Sequence, residues 1–263
     1  MKSFTDQLGR NLSLHYIPRR IVSLVPSQTE LLADLGLEQQ ILGITKFCVH
    51  PAGLREKKLV VGGTKKVNFK KVKALRPDII LCNKEENTQD MVLELEKITP
   101  VHVSDVKTID DTLNLILQYG EIFGAALKAG NLISKISEEL LQFKKYIKNQ
   151  PIKKVAYFIW KDPWMVAGGD TFIDHLLSLN NYRNVYRDEK ERYPVVELEC
   201  LGNKGVELVL LSTEPFPFTE NHKKSFNVNL NKYEFRIVDG EYFSWYGSRL
   251  LAAFSYFKSL RAS

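Results

Sequence analysis

The sequence predicts an α/β protein of two lobes, each with a mainly parallel sheet, joined by a single long α-helix. Three observations lead there. Strand and helix patterns alternate through the first hundred or so residues, as in sheets built from crossover connections. One layout occurs twice: Arg20-Ile21-Val22-Ser23-Leu24-Val25 runs into Pro26-Ser27-Gln28-Thr29-Glu30, and Val155-Ala156-Tyr157-Phe158-Ile159-Trp160 runs into Lys161-Asp162-Pro163-Trp164 and then Gly168-Gly169-Asp170-Thr171-Phe172. Each copy reads as a buried strand, a turn rich in Pro or Gly, and a helix. Between them lies a helical tract without proline. The expected division is therefore 1–124 for the first lobe, 125–150 for the connecting helix and 151–263 for the second lobe. Open α/β sheets take ligands beyond their strand ends, so a groove between two such lobes is the expected binding place and a binder is expected ahead of an enzyme.

The elements follow in order. Leu8, Leu12 and Leu14 around Gly9-Arg10-Asn11 predict a β-hairpin over 5–14. Strand one is 20–25. The next helix, over 27–35, is expected to open on a capping box of Ser27 and Glu30 and to close at Gly36. Further strands are expected at 40–44, 78–82 and 101–103, separated by helices over 68–75 and 88–98. From Ile109 to Lys148 apolar residues recur at helical spacing, with Gly120, Gly124 and Gly130 weakening the first half. One helix to about Phe123 and a second over 126–148, about 34 Å long at 1.5 Å per residue, are the consequence. In the second lobe, strands at 153–159, 206–211 and 235–238 alternate with helices over 171–179, 197–201 and 246–258.

Composition narrows the function. At 263 residues and 44% hydrophobic, the chain has enough apolar material for a core in each lobe. Its 37 Lys and Arg against 31 Asp and Glu give a net charge of +6, but the lysines are scattered, without the basic stripe and interleaved aromatics of a nucleic-acid binder. Cys48, Cys82 and Cys200 offer neither a disulfide framework nor a zinc knuckle, which fits a reducing compartment. The chain as written starts without a secretory apolar run or lipobox cysteine, and no apolar run approaches the roughly 18 residues of a membrane span. A soluble monomer without membrane insertion is expected.

Chemistry-bearing residues cluster after strands. Trp160, Trp164 and Trp245 fall in loops after second-lobe strands, with Tyr246 and Pro215-Phe216-Pro217-Phe218, while Phe47, Cys48 and His50 follow the first lobe's second strand. Aromatics there, instead of on core faces, suit a flat apolar ligand clamped from two sides; the alternative is that each packs under its own loop. Gly62-Gly63-Thr64 and Gly168-Gly169-Asp170 are turn glycines, neither with phosphate-loop spacing, and strand one leads into Pro26-Ser27-Gln28 in place of G-x-G-x-x-G, which argues against nucleotides. Cys48 and His50 supply two soft ligands, with Glu85, Glu86 and Asp162 in other loops, but a bare-metal site needs three or four placed together, so none is expected. His50 reads as a single axial or hydrogen-bonding contact, or as no contact. No nucleophile-base arrangement is visible, so no catalytic residue is assigned.

Taken together, the segments 5–10, 20–30, Leu75-Arg76-Pro77-Asp78-Ile79-Ile80, Trp160-Lys161-Asp162-Pro163-Trp164, 168–172 and Trp245-Tyr246-Gly247-Ser248-Arg249 resemble the helical-backbone metal receptor family, the substrate-binding proteins of ABC importers for cobalamin, iron-siderophores and heme. The resemblance implies two Rossmann-like lobes bridged by one helix, in the manner of periplasmic binding proteins, and the cobalamin branch is the most similar. It implies a corrinoid or related metal chelate held by Phe47, Trp160, Trp164, Phe216, Trp245 and Tyr246, with polar help near Ser27, Gln28, Thr64 and Asn87. No resident cofactor is implied, the metal arriving with the ligand. An ABC permease is the implied partner, docked through Glu86 or Asp90 on the first lobe and Glu199 on the second. A periplasmic address is implied, against which the chain as written shows no export signal. The expectation of a different class is a cytosolic enzyme of corrinoid or chelate processing using His50, Cys48 or Glu86; within the binding class, a siderophore or heme protein is next.

Overall fold

The structure, a computed structural model, describes residues 2–224, 226 and 233–262. Its chain divides into two compact units. Unit 1 comprises Met1–Ser137 with Trp245–Leu250, and unit 2 comprises Glu138–Ser244 with Leu251–Ser263.

Unit 1 opens with an antiparallel hairpin of β1 (Lys2–Thr5) and β2 (Asn11–Leu14). The buried Asp6 carboxylate organises its turn, accepting from the Leu8 and Arg10 amides at 3.0 and 2.9 Å and from Arg10 Nε at 2.8 Å. Then come β3 (Ile21–Ser23), α1 (Pro26–Asp34), β4 (Ile41–Thr45), α2 (Leu54–Lys57), β5 (Leu59–Gly62), α3 (Phe69–Ala74), β6 (Ile79–Asn83), α4 (Gln89–Glu96), β7 (Val101–Ser104) and α5 (Ile109–Ile122). The five strands β3 to β7 form a parallel sheet in the order β5-β4-β3-β6-β7. Every side chain of β3 and β6 is buried, as expected of central parallel strands covered on both faces. Val22, Leu24, Val61, Ile80, Cys82 and Leu95 pack into one core, where each large aliphatic contributes roughly 1.5–3 kcal/mol.

Side-chain caps explain why the helices begin where they do. Asn68 accepts from the Lys71 amide before α3, Thr88 from Met91 before α4, and Thr108 with Asp111 forms a full capping box before α5. α5 ends at Gly124, whose φ of +68° is left-handed and favours glycine. α6 (Ala126–Ile147) follows as one unbroken helix, with the division between the units falling inside it at Ser137 and Glu138.

Unit 2 contains β8 (Lys153–Trp160), β9 (Met165–Val166), α7 (Phe172–Leu179), β10 (Tyr182–Asn184), β11 (Leu208–Ser212), α8 (Glu220–Lys223), β12 (Glu234–Val238) and α9 (Glu241–Ser244), and the chain ends in α10 (Leu250–Ala262). Its parallel order is β10-β8-β11-β12, with β9 antiparallel on β8.

Four expectations are corrected. The helix at 27–35 has no capping box: Pro26 occupies its first turn, and Val25 is the N-cap without a side-chain bond. Proline lacks the amide hydrogen a cap would take and presets the helical φ, so the helix starts without Ser27. Glu30, freed from that role, pairs with Arg249. The helix expected at 246–258 starts four residues later, because Trp245–Leu250 packs with unit 1 and α10 begins only at Leu250. That same packing overturns the assignment of Trp245 and Tyr246 to second-lobe loops. The stretch 197–201 closes as a single 3-10 turn, Leu198–Leu201. Strands β5, β9 and β10 had no expectation, being two to four residues long and too short for a period to register.

Candidate functional site

Each parallel sheet has a point where strand order reverses, and loops beyond the C-terminal strand ends at that point form the usual ligand crevice of α/β proteins. In unit 1 the reversal lies between β3 and β6, bringing together Pro26-Ser27-Gln28 and Lys84–Asn87. In unit 2 it lies between β8 and β11, bringing together Trp160–Trp164 and Thr213–Phe218.

The unit 1 crevice is floored by a buried polar network. Gln28, fully buried, donates Nε2 to Ser104 Oγ at 2.6 Å and to the Tyr246 hydroxyl at 2.9 Å, and accepts from the Tyr119 hydroxyl at 2.8 Å. Asn83 Nδ2 reaches Ser104 Oγ at 3.0 Å, and the Tyr246 and Ser104 oxygens lie 3.2 Å apart. Burial, then the charge of Glu86, pushes the Tyr246 phenol well above its ordinary range, so it works as a neutral hydroxyl. The amides of Gln28 and Asn87, expected to meet ligand, are committed to protein. Asn87 Oδ1 accepts from the Asn83 amide at 2.8 Å, and its Nδ2 donates to the Thr64 carbonyl at 2.8 Å. Ser27 is also buried, its hydroxyl beside the Tyr246 phenol without reaching hydrogen-bonding geometry.

Trp245–Leu250 is anchored to this floor. The Arg249 guanidinium lies 4.9 Å over the Trp245 ring, and His50 meets the same ring edge-on at 5.4 Å. Arg249 donates Nε to Glu30 Oε2 at 2.9 Å and Nη2 to Glu30 Oε1 at 2.5 Å, a fork-to-fork pair. Burial raises the Glu30 pKa, and the Arg249 bonds and charge only partly oppose it. Trp245 and Tyr246 are 7% and 5% exposed. Of the three aromatics in unit 1 that were expected to meet ligand, Phe47 is exposed, at 48%, while Trp245 and Tyr246 are buried.

Unit 2 places Trp160, at 39% exposure, edge-on to Phe216 at 5.6 Å, at the reversal point. Trp164 is half-buried and packs against the unit 2 core, stacked on Phe218 at 6.1 Å and against Phe226 at 4.6 Å. The packing alternative thus describes the part of Trp164 that rests on Phe218 and Phe226, while the Lys161 ammonium stands 5.8 Å over its ring.

The acids assigned to docking differ in setting. Asp90 is exposed in the first turn of α4, where the helix dipole favours a negative charge. Glu199 is exposed on its 3-10 turn, and Glu86 is half-buried, its amide donating to Asn83 Oδ1 at 3.2 Å. Cys48 is buried between Thr29 and Thr45 hydroxyls, and burial pushes its thiol up, the reverse of what a nucleophile needs. Among the described residues no group of three His, Cys, Asp or Glu is arranged to hold a metal ion, and no helix is long and apolar enough to cross a membrane. Arg249, Lys46 and Tyr119 were not singled out by sequence. The only signal for Arg249 was its place in the Trp245–Arg249 run.

Two units, each with a parallel sheet and a reversal of strand order, define an α/β protein of the kind that takes ligands beyond its C-terminal strand ends. A family profile described as "Periplasmic binding protein" matches residues 21–228, and the chain belongs to that family. The family consists of solute-binding proteins, and this chain is not an enzyme. It is similar to an uncharacterized ABC transporter substrate-binding lipoprotein, YvrC, of Bacillus subtilis, 28% identical over 70% of this chain and 60% of the relative, so the match leaves 40% of that relative's length unaligned. It is also similar to the vitamin B12-binding protein of Pectobacterium atrosepticum, 26% identical over 74% of this chain and 72% of that one. Among solved structures, a periplasmic heme binding protein from Pseudomonas aeruginosa superposes with a TM-score of 0.80 at 21% identity, covering 93% of this chain and 92% of that one, which is a likeness of fold.

Proposed function

We propose that this chain is the substrate-binding protein of an ABC importer and that its cargo is a corrinoid or a metal chelate of similar size. The observation that carries the reading is the pair of exposed aromatics at C-terminal strand ends, Phe47 beyond β4 and Trp160 at the end of β8. Exposed rings of that size are costly to leave in water and suit a wide flat face. The vitamin B12-binding relative supports a corrinoid, a disc edged with amides that aromatic walls and neutral hydroxyls accommodate. The metal comes with the cargo, and the ABC-transporter name of the Bacillus relative supports a permease partner, with Asp90 and Glu199 as exposed docking acids.

A second reading, an anionic chelate such as heme, is favoured by the lysines around Phe47. Titration of the full chain with cyanocobalamin, hemin and ferric citrate, followed by tryptophan quenching, tests both. Saturable one-to-one binding of a corrinoid, weakened at least about tenfold by Phe47→Ala or Trp160→Ala, is expected. Binding of hemin alone moves the assignment to the second reading, and no binding of any of the three overturns both.

A further inference from the structure

The loops after β4 and β5 adjoin at one side of the unit 1 sheet and carry several exposed cations. Lys46 follows β4, its amide donating to the Gly62 carbonyl at 2.8 Å, and its ammonium stands 4.9 Å over the Phe47 ring. Gly63, at the head of the next loop, packs against both: a Cβ there would lie 3.3 Å from Phe47 and 3.7 Å from Lys46. Lys65 and Lys66 follow on that loop, the Lys65 ammonium donating to the Glu85 carbonyl oxygen. Arg55 holds the Lys46 carbonyl at 2.9 Å. Lys46, Lys65, Lys66 and Arg55 are all exposed, and among the described residues none forms an ion pair with a carboxylate. Glu85 and Glu86 border the cluster on the β6 side, leaving it net positive.

Lys46, Lys65 and Lys66 on two adjoining loops, with Arg55 on α2 next to them, concentrate like charge beside the half-exposed Phe47 ring. An anion supplied from outside would offset that charge, and a ligand ring resting on Phe47 would bring its edge to the Lys46 ammonium. We propose that Lys46, supported by Lys65 and Lys66, is a subsite for a peripheral oxyanion of the cargo, a phosphodiester or a carboxylate at the edge of a flat chelate whose face lies on Phe47. The subsite rests on the chelate reading above and adds to it the charge of the group that is recognised.

Paired ligands separate the two ideas. Cyanocobalamin and dicyanocobinamide are both neutral overall, yet only the first carries a phosphodiester; hemin carries carboxylates that its dimethyl ester lacks. With the full chain, Lys46→Met is expected to weaken cyanocobalamin about tenfold, the worth of one charge-assisted contact, while dicyanocobinamide stays within about twofold. If heme is the cargo, hemin and its diester show the same contrast. Lys65→Met with Lys66→Met should give a smaller loss in the same sense, and the loss should shrink in high salt. Equal weakening of both members of a pair, or of neither, overturns the subsite while leaving the chelate reading standing. Failure of the unaltered protein to bind any of the four overturns the chelate reading, and the subsite with it.

Discussion

The two units solve the same problem, how to hold strand-end loops still, by opposite means. Unit 1 ties its crevice with directional bonds: Gln28, Tyr119, Ser104, Asn83 and Tyr246 share one buried network. Unit 2 fills the same place with rings, Phe158 meeting Trp164 and Phe226 edge to face and Trp164 lying parallel to Phe218, around the base of the loops that carry Trp160 and Phe216. A polar network specifies one arrangement and penalises every other, because each misplaced partner leaves a buried group unpaired. An aromatic cluster is held by area and tolerates sliding. Unit 1 is thus built for a fixed pattern of polar contacts, and unit 2 for adaptable apolar coverage.

The largest test of that contrast is Phe158→Ala. Phe158 is fully buried and touches both Trp164 and Phe226, so its truncation should cost about 4 kcal/mol in urea unfolding. A loss below about 1 kcal/mol would mean that the ring cluster is not what holds unit 2. Next is Gln28→Leu, which keeps the bulk but strands the Tyr119 hydroxyl and removes one partner each from Tyr246 and Ser104. A cost of about 2–3 kcal/mol is expected. If the variant matches the unaltered protein, unit 1 is held by its apolar core alone.

The smallest effect is a pH dependence confined to unit 1. His102 is buried beneath Tyr119 and bonded to Gln118 at 2.6 Å, and burial lowers its pKa below the ordinary 6.5. The unfolded chain therefore takes up a proton that the folded chain refuses as pH drops below 6.5, and stability falls from there until the lowered folded value is passed. Urea midpoints at pH 7.5 and about pH 5.5 should differ less for His102→Gln than for the unaltered protein. An unchanged difference would remove His102 from the account.

Much of this architecture is legible in the chain. Thr88, Thr108 and Thr171 mark helix starts because their hydroxyls bond an amide three residues on, a contact that needs nothing beyond the local turn. Gly124 ends α5 for an equally local reason, its left-handed φ. The strand at Leu59–Gly62 was not legible, since four residues at a sheet edge carry no period and are held by pairing with β4. Ser27 and Glu30 misled, because the spacing of a capping box is indifferent to the proline between the strand and the helix. The aromatics divided in the same way. Their positions after strands could be read from sequence, but whether a ring is exposed, as Trp160 is, or half-buried against the core, as Trp164 is, depends on partners such as Phe218 and Phe226, more than fifty residues on.

By itself, then, the sequence determined the α/β alternation, the helix boundaries set by threonine and glycine, the long α6 and the crowding of rings and lysines after strands, all of which are decided by bonds and periods within a few residues. Only the tertiary structure decided that Trp245–Leu250 leaves its neighbours in the chain to pack with unit 1, that Gln28 and Asn87 are spent on the protein's own hydroxyls and carbonyls, and that Phe47 is left exposed under a lysine. Those outcomes depend on partners up to 219 residues away, as between Glu30 and Arg249, and burial against such a partner outweighs any preference the neighbouring residues express.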